Sequence, residues 1–239
     1  RRGRAPWPVI ALVGYTNTGK STLFNRLTGA DVMAEDLLFA TLDPTMRAIA
    51  LPGVEKAILS DTVGFISDLP TQLVAAFRAT LEEVTGADII LHVRDMSNPA
   101  NEAQKKQVLS VLADLGVVEG DGGLSSIPIL EAWNKVDLVS PDRADELQQM
   151  AASQENALVL SALTGSGVEA LLEQVSAMLT REARILDVEL PASDGKRIAW
   201  LHAHGEVLED IEAGEGEQGP LRKLSVRLNP KQLGQFEQL

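Results

Sequence analysis

The chain has 239 residues, of which 45% are hydrophobic and 23% charged, the balance of a globular protein with a buried core. It contains no cysteine, which excludes a disulfide framework and a thiolate metal site, and its net charge of −13 argues against a broad nucleic-acid surface. No apolar run reaches the roughly 20 residues that span a bilayer. We therefore expect a cytoplasmic protein, and leave a peripheral membrane location open.

Strands alternate with helices along the first three quarters of the chain. An apolar strand at 9–13 ends in Gly14, a helix follows at 22–27, and residues 30–45 are predicted to be a mobile loop. Further strands are predicted at 46–51, 56–60, 89–93, 127–132 and 157–160, and further helices at 72–84, 101–115, 142–152 and 168–181. Several strands are apolar on both faces, which predicts an α/β fold with a mostly parallel, doubly wound sheet.

The pattern changes after about residue 184. The predicted elements there are a strand at 185–190, a helix at 197–204, hairpin strands at 206–212 and 221–228, and a final helix from Pro230. We therefore predict a nucleotide-binding domain at 9–183 and a small carboxyl-terminal α+β domain at 184–239, with residues 1–8 as the end of a linker.

A glycine-rich segment, GYTNTGKS, lies between the first strand and the first helix and matches the phosphate-loop pattern. Gly14 and Gly19 permit the backbone path, Lys20 places a charge between the outer two phosphates, and Ser21 supplies a hydroxyl to Mg²⁺. The predicted nucleotide contacts of this loop are Gly14, Tyr15, Thr16, Asn17, Thr18, Gly19, Lys20, Ser21 and Thr22.

Two later segments favour guanine over adenine. NKVD follows the strand at 127–132, and the Asp137 carboxylate can accept both hydrogens of guanine's ring N–H and amine, a pair that adenine lacks. Lys135 can lie along the base and Asn134 can bridge to the phosphate loop. One strand later, the backbone N–H groups of SAL can meet the guanine oxygen. The predicted contacts are Asn134, Lys135, Val136, Asp137, Ser161, Ala162 and Leu163.

The segment DTVG also follows an apolar strand. Asp61 is expected to hold Mg²⁺ through water, and the Gly64 N–H to meet the γ-phosphate. The predicted contacts are Asp61, Thr62, Val63 and Gly64. Thr41 and Thr45 both qualify as the loop hydroxyl that closes on Mg²⁺, and spacing does not choose between them.

The order of these motifs marks a P-loop GTPase fold, and within it the chain resembles the HflX family. The resemblance rests on GYTNTGKSTLFNRLTGA, LFATLDPTMR, DTVGFISDLPTQLVAAFRATLEE and the strand–helix–hairpin tail. It implies that Thr41 is the Mg²⁺ threonine, within a nucleotide-contacting segment of Phe39, Ala40, Thr41, Leu42 and Asp43.

The resemblance also implies a partner, the large ribosomal subunit with its rRNA and ribosomal proteins, and a role in splitting or recycling ribosomes under stress. HflX-like proteins normally carry an additional amino-terminal domain and a helical linker, and this chain starts about where that linker ends. We expect a monomer that binds GTP and GDP.

Phe65 occupies the position where many GTPases carry a water-orienting glutamine. The predicted catalytic set is therefore Lys20, Thr41 and Gly64, with slow intrinsic hydrolysis that a partner stimulates. Two alternatives remain: a GTPase with a protein or membrane partner, and a nucleotide-binding module with negligible hydrolysis. Asn17 can coordinate K⁺ beside the phosphates or simply stabilise the turn.

Other polar residues are expected to be structural. We predict that His92 is a core histidine with satisfied hydrogen bonds and that Arg78 and Arg94 form ion pairs. Trp7, Trp133 and Trp200 are expected to pack in the protein interior.

Overall fold

The computed structural model describes residues 7–29, 45–62, 64, 84–118, 125–181, 183–216, 219–228 and 230–239. The chain divides into two compact units, residues 8–176 and residues 177–239 together with the amino-terminal segment that ends at Trp7. The predicted domain boundary at 183/184 stays a prediction. Of the predicted loop at 30–45, residues 30–44 lie outside the described residues and Thr45 is instead the first residue of a strand. Most of the predicted helix at 72–84 also lies outside the described residues.

A six-stranded sheet forms the centre of the larger unit. Its elements in chain order are β1 (Val9–Val13), α1 (Lys20–Thr28), β2 (Thr45–Leu51), β3 (Val54–Asp61), β4 (Ile89–Asp95), α2 (Asn101–Asp114), β5 (Ile129–Asn134), α3 (Pro141–Ala152), β6 (Ala157–Val159) and α4 (Val168–Thr180). The strand order is β2-β3-β1-β4-β5-β6, and only the β2–β3 pair is antiparallel. The prediction of a mostly parallel α/β sheet is confirmed.

Apolar residues on both faces explain why the central strands are buried. On one face Val13 and Ile90 pack with Val108 and Leu112 of α2. Elsewhere Trp133 of β5 packs with Leu147 of α3, so Trp133 is the packing residue that we predicted. Each buried valine, isoleucine or leucine side chain stabilises the fold by about 1.5–3 kcal/mol. Helices α2 and α3 therefore cover the sheet.

The fifth strand begins and ends two residues later than the sequence predicted, at Ile129–Asn134 instead of 127–132. The apolar pattern stops before Asn134, but the strand continues because that side chain is buried and hydrogen-bonded. Glu131 of the same strand is buried and pairs with Arg94, which confirms the ion pair expected of Arg94. Arg78 lies outside the described residues.

One expectation about the core is wrong. His92 is buried in the middle of β4, with 1% of its surface exposed, but its Nδ1 atom has no hydrogen-bond partner among the described residues. Burial lowers the His92 pKa to about 4, with the opposing charge of Glu131 the next influence, so the imidazole is neutral at physiological pH. One buried nitrogen of the ring therefore lacks a partner in the described part of the chain, where we predicted satisfied hydrogen bonds.

The smaller unit contains an antiparallel sheet of order β7-β9-β8, which confirms the predicted α+β class. Its elements are β7 (Arg184–Pro191), α5 (Gly195–His204), β8 (Glu206–Gly216), β9 (Gly219–Leu228) and α6 (Pro230–Phe236). Leu201, Leu224 and Phe236 are buried in its core, and Trp200 packs against the same cluster. The first hairpin strand extends to Gly216 rather than 212, because bulges after Val207 and Glu212 accommodate its glycine-containing end.

Within the described part of the chain, no helix combines the length and the hydrophobicity needed to cross a membrane.

Candidate nucleotide-binding site

The parallel strands bring the predicted motifs to one edge of the large sheet. The segment Gly14–Gly19 connects β1 to α1, Asp61 is the last residue of β3, and Asn134 is the last residue of β5. Ser161–Leu163 follows β6 after one residue. Because carboxyl ends of parallel strands face the same side, this edge is where ligands bind in open α/β sheets.

Close contacts explain both glycines of the phosphate loop, and a positive φ is a second reason at Gly19. A Cβ atom on Gly14 would lie 2.5 Å from the Val93 carbonyl oxygen. Gly19 has φ +98°, and a Cβ atom there would lie 2.2 Å from Asn134 Nδ2. Asn17 has φ +61°, in the left-handed region that Asn tolerates better than most residues. The turn role of Asn17 is thereby supported.

Lys20 is the buried cation of the loop, with 6% of its surface exposed. Its Nζ donates to the Tyr15 carbonyl oxygen over 2.9 Å. Burial lowers the Lys20 pKa to about 8, although the charge of Asp61 opposes that shift. An ammonium held in a buried loop is suited to bind phosphate, since a bound anion would restore its preference for the charged form.

Two oxygen-bearing side chains meet beside Lys20. Ser21 Oγ donates to Asp61 Oδ2 over 3.2 Å, and Asp61 is fully buried. Thr62 Oγ1 donates to the Leu12 carbonyl oxygen, which ties the end of β3 to β1. A hydroxyl next to a carboxylate is the hard oxygen donor set that Mg²⁺ prefers, so these residues fit the ion.

Gly64 lies against the phosphate loop. A Cβ atom on Gly64 would lie 3.1 Å from Thr16 Cα and 3.2 Å from Lys20 Nζ, so any side chain there would crowd the loop. Thr45 begins β2 and pairs with Asp61 in the strand register. Phe39, Ala40, Thr41, Leu42, Asp43, Val63 and Phe65 lie outside the described residues.

Asn134 joins the phosphate loop to the base loop, residues Ser161–Leu163, which we predicted to contact guanine. Its Nδ2 donates to the Thr18 carbonyl oxygen over 2.9 Å, and its Oδ1 accepts from the Ala162 N–H over 2.8 Å. Ser161 is buried and accepts from the Thr164 N–H over 3.1 Å. One amide side chain therefore fixes the distance between the two parts of the site.

Lys135 makes a second connection across the site. Its Nζ donates to the Asn17 carbonyl oxygen over 2.6 Å and pairs with Asp95 Oδ2 over 2.8 Å. Its backbone has φ +66°, which turns the chain into the short 3-10 helix Val136–Leu138 that presents Asp137 to solvent. The aliphatic part of Lys135 is thus held over the phosphate loop, with Asp137 two residues further on.

Sequence reasoning missed two residues of this region. Asp95 ends β4, accepts from Ser97 Oγ over 2.6 Å and anchors Lys135. A carboxylate at the end of a predicted strand was a signal that could have found it. Arg26 donates from Nε and Nη2 to the Ala162 and Leu163 carbonyl oxygens. No spacing rule in the sequence points to that contact.

Comparison with known proteins indicates the family of the chain. A family model described as 50S ribosome-binding GTPase matches residues 9–135, and one described as HflX C-terminal domain matches residues 146–238. "GTPase HflX" of Magnetococcus marinus is 45% identical over 97% of this chain and 50% of its own length. "GTPase HflX" of Escherichia coli K12 is 39% identical over 95% of this chain and 50% of its own length. The chain thus spans about half the length of the curated relatives it matches.

Solved structures agree on the fold. A GTP-binding protein from Sulfolobus solfataricus in complex with GDP has a TM-score of 0.54 and 31% identity, covering 73% of this chain and 53% of that one. Era of Aquifex aeolicus bound to GDP.AlF4- has a TM-score of 0.54 and 23% identity, covering 70% and 55%, and shows the fold alone. Together with the two family models, these matches confirm the predicted P-loop GTPase fold. The chain belongs to the HflX family of GTPases.

Proposed function

We propose that this chain binds GTP with Mg²⁺, hydrolyses it to GDP and phosphate, and acts as a switch on the large ribosomal subunit. The observation that carries the nucleotide part is the pair of hydrogen bonds made by Asn134, to Thr18 and to Ala162. They hold a phosphate loop and a base loop together at one edge of the sheet. This arrangement supports a ligand with both a phosphate chain and a base.

Guanine is the base that this edge fits best. The Asp137 carboxylate accepts hydrogen bonds from the guanine ring N–H and amine, and Lys135 covers the base with its aliphatic chain. The loop at Ser161–Leu163 meets the guanine oxygen with a backbone amide. Adenine offers neither that donor pair nor that oxygen, so it is rejected by unpaired polar groups.

Mg²⁺ is proposed to be held by Ser21 and Thr41 directly and by Asp61 through water. The contact between Ser21 Oγ and Asp61 Oδ2 at 3.2 Å supports the first and last of these assignments. When bound, the ion neutralises charge on the outer phosphates. A K⁺ ion coordinated by the Asn17 side chain is a further proposal, supported by the position of Asn17 in the phosphate loop.

Hydrolysis is proposed to depend on Lys20, Gly64 and Thr41, with no glutamine to orient water. Lys20 is buried beside the phosphate loop and Gly64 packs on it, which supports charge stabilisation by an ammonium and a backbone N–H. Phe65 can neither donate nor accept a hydrogen bond. Since a missing trans-acting group is worth roughly 10³–10⁵ in rate, the free protein should turn over slowly.

The large ribosomal subunit is proposed as the partner because of the family description that residues 9–135 match, a 50S ribosome-binding GTPase. The role that goes with it is separation of stalled or idle ribosomes under stress, in the cytoplasm, by a monomer. Since the relatives are about twice as long, the splitting activity is proposed for a whole protein of that length. Binding and stimulation are proposed for this chain.

The test is single-turnover GTP hydrolysis by this chain, alone and with purified large or small ribosomal subunits, with Lys20→Ala as the inactive control. We expect large subunits to raise the rate by more than about tenfold and small subunits to leave it unchanged. An equal hydrolysis rate in all three conditions would contradict the proposal that the ribosome is the partner, and would favour a protein or membrane partner. GTP binding without any hydrolysis would indicate a nucleotide-binding module.

A further inference from the structure

Arg26 connects the end of helix α1 to the loop that follows β6. It lies in the last turn of α1, the helix that begins with Lys20 and Ser21. Its Nε donates to the Ala162 carbonyl oxygen and its Nη2 donates to the Leu163 carbonyl oxygen. A guanidinium can hold two neighbouring acceptors at once because its donors form a rigid planar fork.

The loop is shaped to admit this guanidinium. Gly165 has φ +90°, a conformation that L side chains rarely adopt, and a Cβ atom there would lie 2.8 Å from Arg26 Nη1. The Gly165 N–H in turn donates to the Ser161 carbonyl oxygen over 2.8 Å, which closes the loop beneath Arg26. Helix and loop are therefore complementary in shape as well as in hydrogen bonding.

The contact also sets the direction of one backbone amide. The Ala162 carbonyl and the Leu163 N–H belong to the same trans peptide, so they point to opposite sides. Holding the carbonyl toward α1 turns the Leu163 N–H away from α1. The Ser161 N–H donates to Ser166 and the Ala162 N–H to Asn134, whereas the Leu163 N–H has no acceptor among the described residues.

We propose that Arg26 is a positioning residue for base recognition, which locks the Ala162–Leu163 peptide so that its N–H is presented to the guanine oxygen O6. This role rests on the proposed guanine-nucleotide function. It makes α1 a link between the two halves of the ligand, since phosphate-binding residues start the helix and the base-loop clamp ends it. Loss of Arg26 should weaken recognition of O6 specifically, and not of the 2-amino group that Asp137 meets.

The test compares the affinities of GDP, 6-thio-GDP and IDP at pH 7 for the wild type, Arg26→Ala, Arg26→Lys and the control Arg143→Ala. Sulfur accepts hydrogen bonds weakly, so the wild type should bind 6-thio-GDP about fivefold less tightly than GDP. Arg26→Ala should weaken GDP binding by about fivefold and 6-thio-GDP binding by less than about twofold. The variant should therefore lose the preference for GDP over 6-thio-GDP. The preference for GDP over IDP should stay within about twofold of wild type, because IDP lacks only the 2-amino group.

The control removes an exposed arginine of α3 that pairs with Glu146 at 2.8 Å, and it should behave as wild type. Arg26→Lys keeps the charge but lacks the rigid planar fork that holds both carbonyls, so it should show the same pattern with a smaller effect. If thermal unfolding without nucleotide shows that Arg26→Ala does not fold, the same comparison is made with Arg26→Lys. Equal weakening of all three nucleotides, or an unchanged preference for GDP over 6-thio-GDP, would overturn the proposal. A wild type with no guanine preference would instead overturn the proposed function.

Discussion

The two sheets of this protein place similar ion pairs in different surroundings. In the six-stranded sheet Arg94 and Glu131 pair over 2.7 Å, with side chains 3% and 8% exposed. In the three-stranded sheet Arg227 and Glu206 pair over 2.6 Å, with side chains 36% and 53% exposed. The two distances are nearly equal, so exposure to solvent decides how much each pair contributes to stability. Water screens the outer pair, Arg227–Glu206. The inner pair, Arg94–Glu131, is buried, so removing one partner leaves the other as an unpaired buried charge.

The inner pair belongs to a network that joins β4 and β5 to helix α2. Glu131 also pairs with Lys105 over 2.6 Å and accepts from Trp133 Nε1 over 2.8 Å. Burial alone would raise the Glu131 pKa, but the hydrogen bonds from Lys105 and Trp133 and the charge of Arg94 lower it to about 2. The next residues along these strands include Asp95 and Asn134, which face each other in register. The network therefore stabilises the two strands whose carboxyl ends carry Asp95 and Asn134 of the proposed nucleotide site.

The largest effect on stability is predicted for Glu131→Gln. The substitution keeps the size of the side chain but leaves Arg94 buried beside a neutral amide. Among the described residues, the exposed Glu102 is then its one remaining charged partner. Breaking a buried pair in this way costs about 3–5 kcal/mol of unfolding free energy. Chemical denaturation of the variant and the wild type measures it. A loss below about 1 kcal/mol would show that the buried network carries no more weight than a surface pair.

A smaller effect is predicted for the pH dependence of nucleotide affinity, through proton uptake by Lys20. Its pKa is lowered to about 8 in the free protein, and phosphates should raise it, so nucleotide binding takes up a proton above that pH and affinity falls as pH rises. At pH 8.5, GDP binding should take up about three quarters of a proton, as measured by calorimetry in buffers of different ionisation enthalpy.

Lys20→Arg serves as the control for that measurement, because arginine is charged at every pH used and should take up none. Folding stability in the absence of nucleotide depends on pH in the opposite direction from nucleotide affinity. The unfolded chain binds the Lys20 proton more tightly than the folded one, so Lys20 contributes increasing stability between about pH 8 and its ordinary value of 10.5. Wild-type GDP binding without proton uptake at pH 8.5 would mean that Lys20 is already fully charged in the free protein.

The smallest effect is predicted for Glu206→Gln in the other sheet. The chemical change is the same as at Glu131, but the pair with Arg227 is exposed on both sides. We expect the unfolding free energy to change by less than about 1 kcal/mol. If this substitution cost as much as Glu131→Gln under the same denaturation conditions, exposure would not explain the difference between the two sheets.

The sequence predicted most of the fold and the phosphate loop, because those features follow from local rules. Strand β1 lies where the apolar run at 9–13 predicted it. A single turn requires both glycines, Gly14 because a backbone carbonyl is close and Gly19 because its φ is positive. Motif order then identified the fold, since each motif follows a strand that ends at the same edge of the sheet.

What the sequence could not predict depends on contacts between distant elements. Arg26 meets residues more than 130 positions away, at Ala162 and Leu163, and its position in a helix gives no hint of that. The sequence also gives no sign that His92 Nδ1 is buried without a partner in the described part of the chain, because this follows from the packing around β4. Strand β5 was placed too early because buried polar residues interrupt its apolar pattern. In each case tertiary contacts override the local signal.

Base recognition by Asp137 is the most direct test of the central claim that this edge of the sheet is a guanine-nucleotide site. Calorimetric titrations would compare GTP and xanthosine triphosphate on the wild type, Asp137→Asn and the control Asp142→Asn, an exposed carboxylate in the first turn of α3. We predict that Asp137→Asn weakens GTP by roughly 10- to 100-fold, the worth of a charged hydrogen-bond pair, and binds xanthosine triphosphate better than the wild type does. The control should keep the wild-type preference. An unchanged preference in Asp137→Asn would contradict the assignment of this edge to guanine.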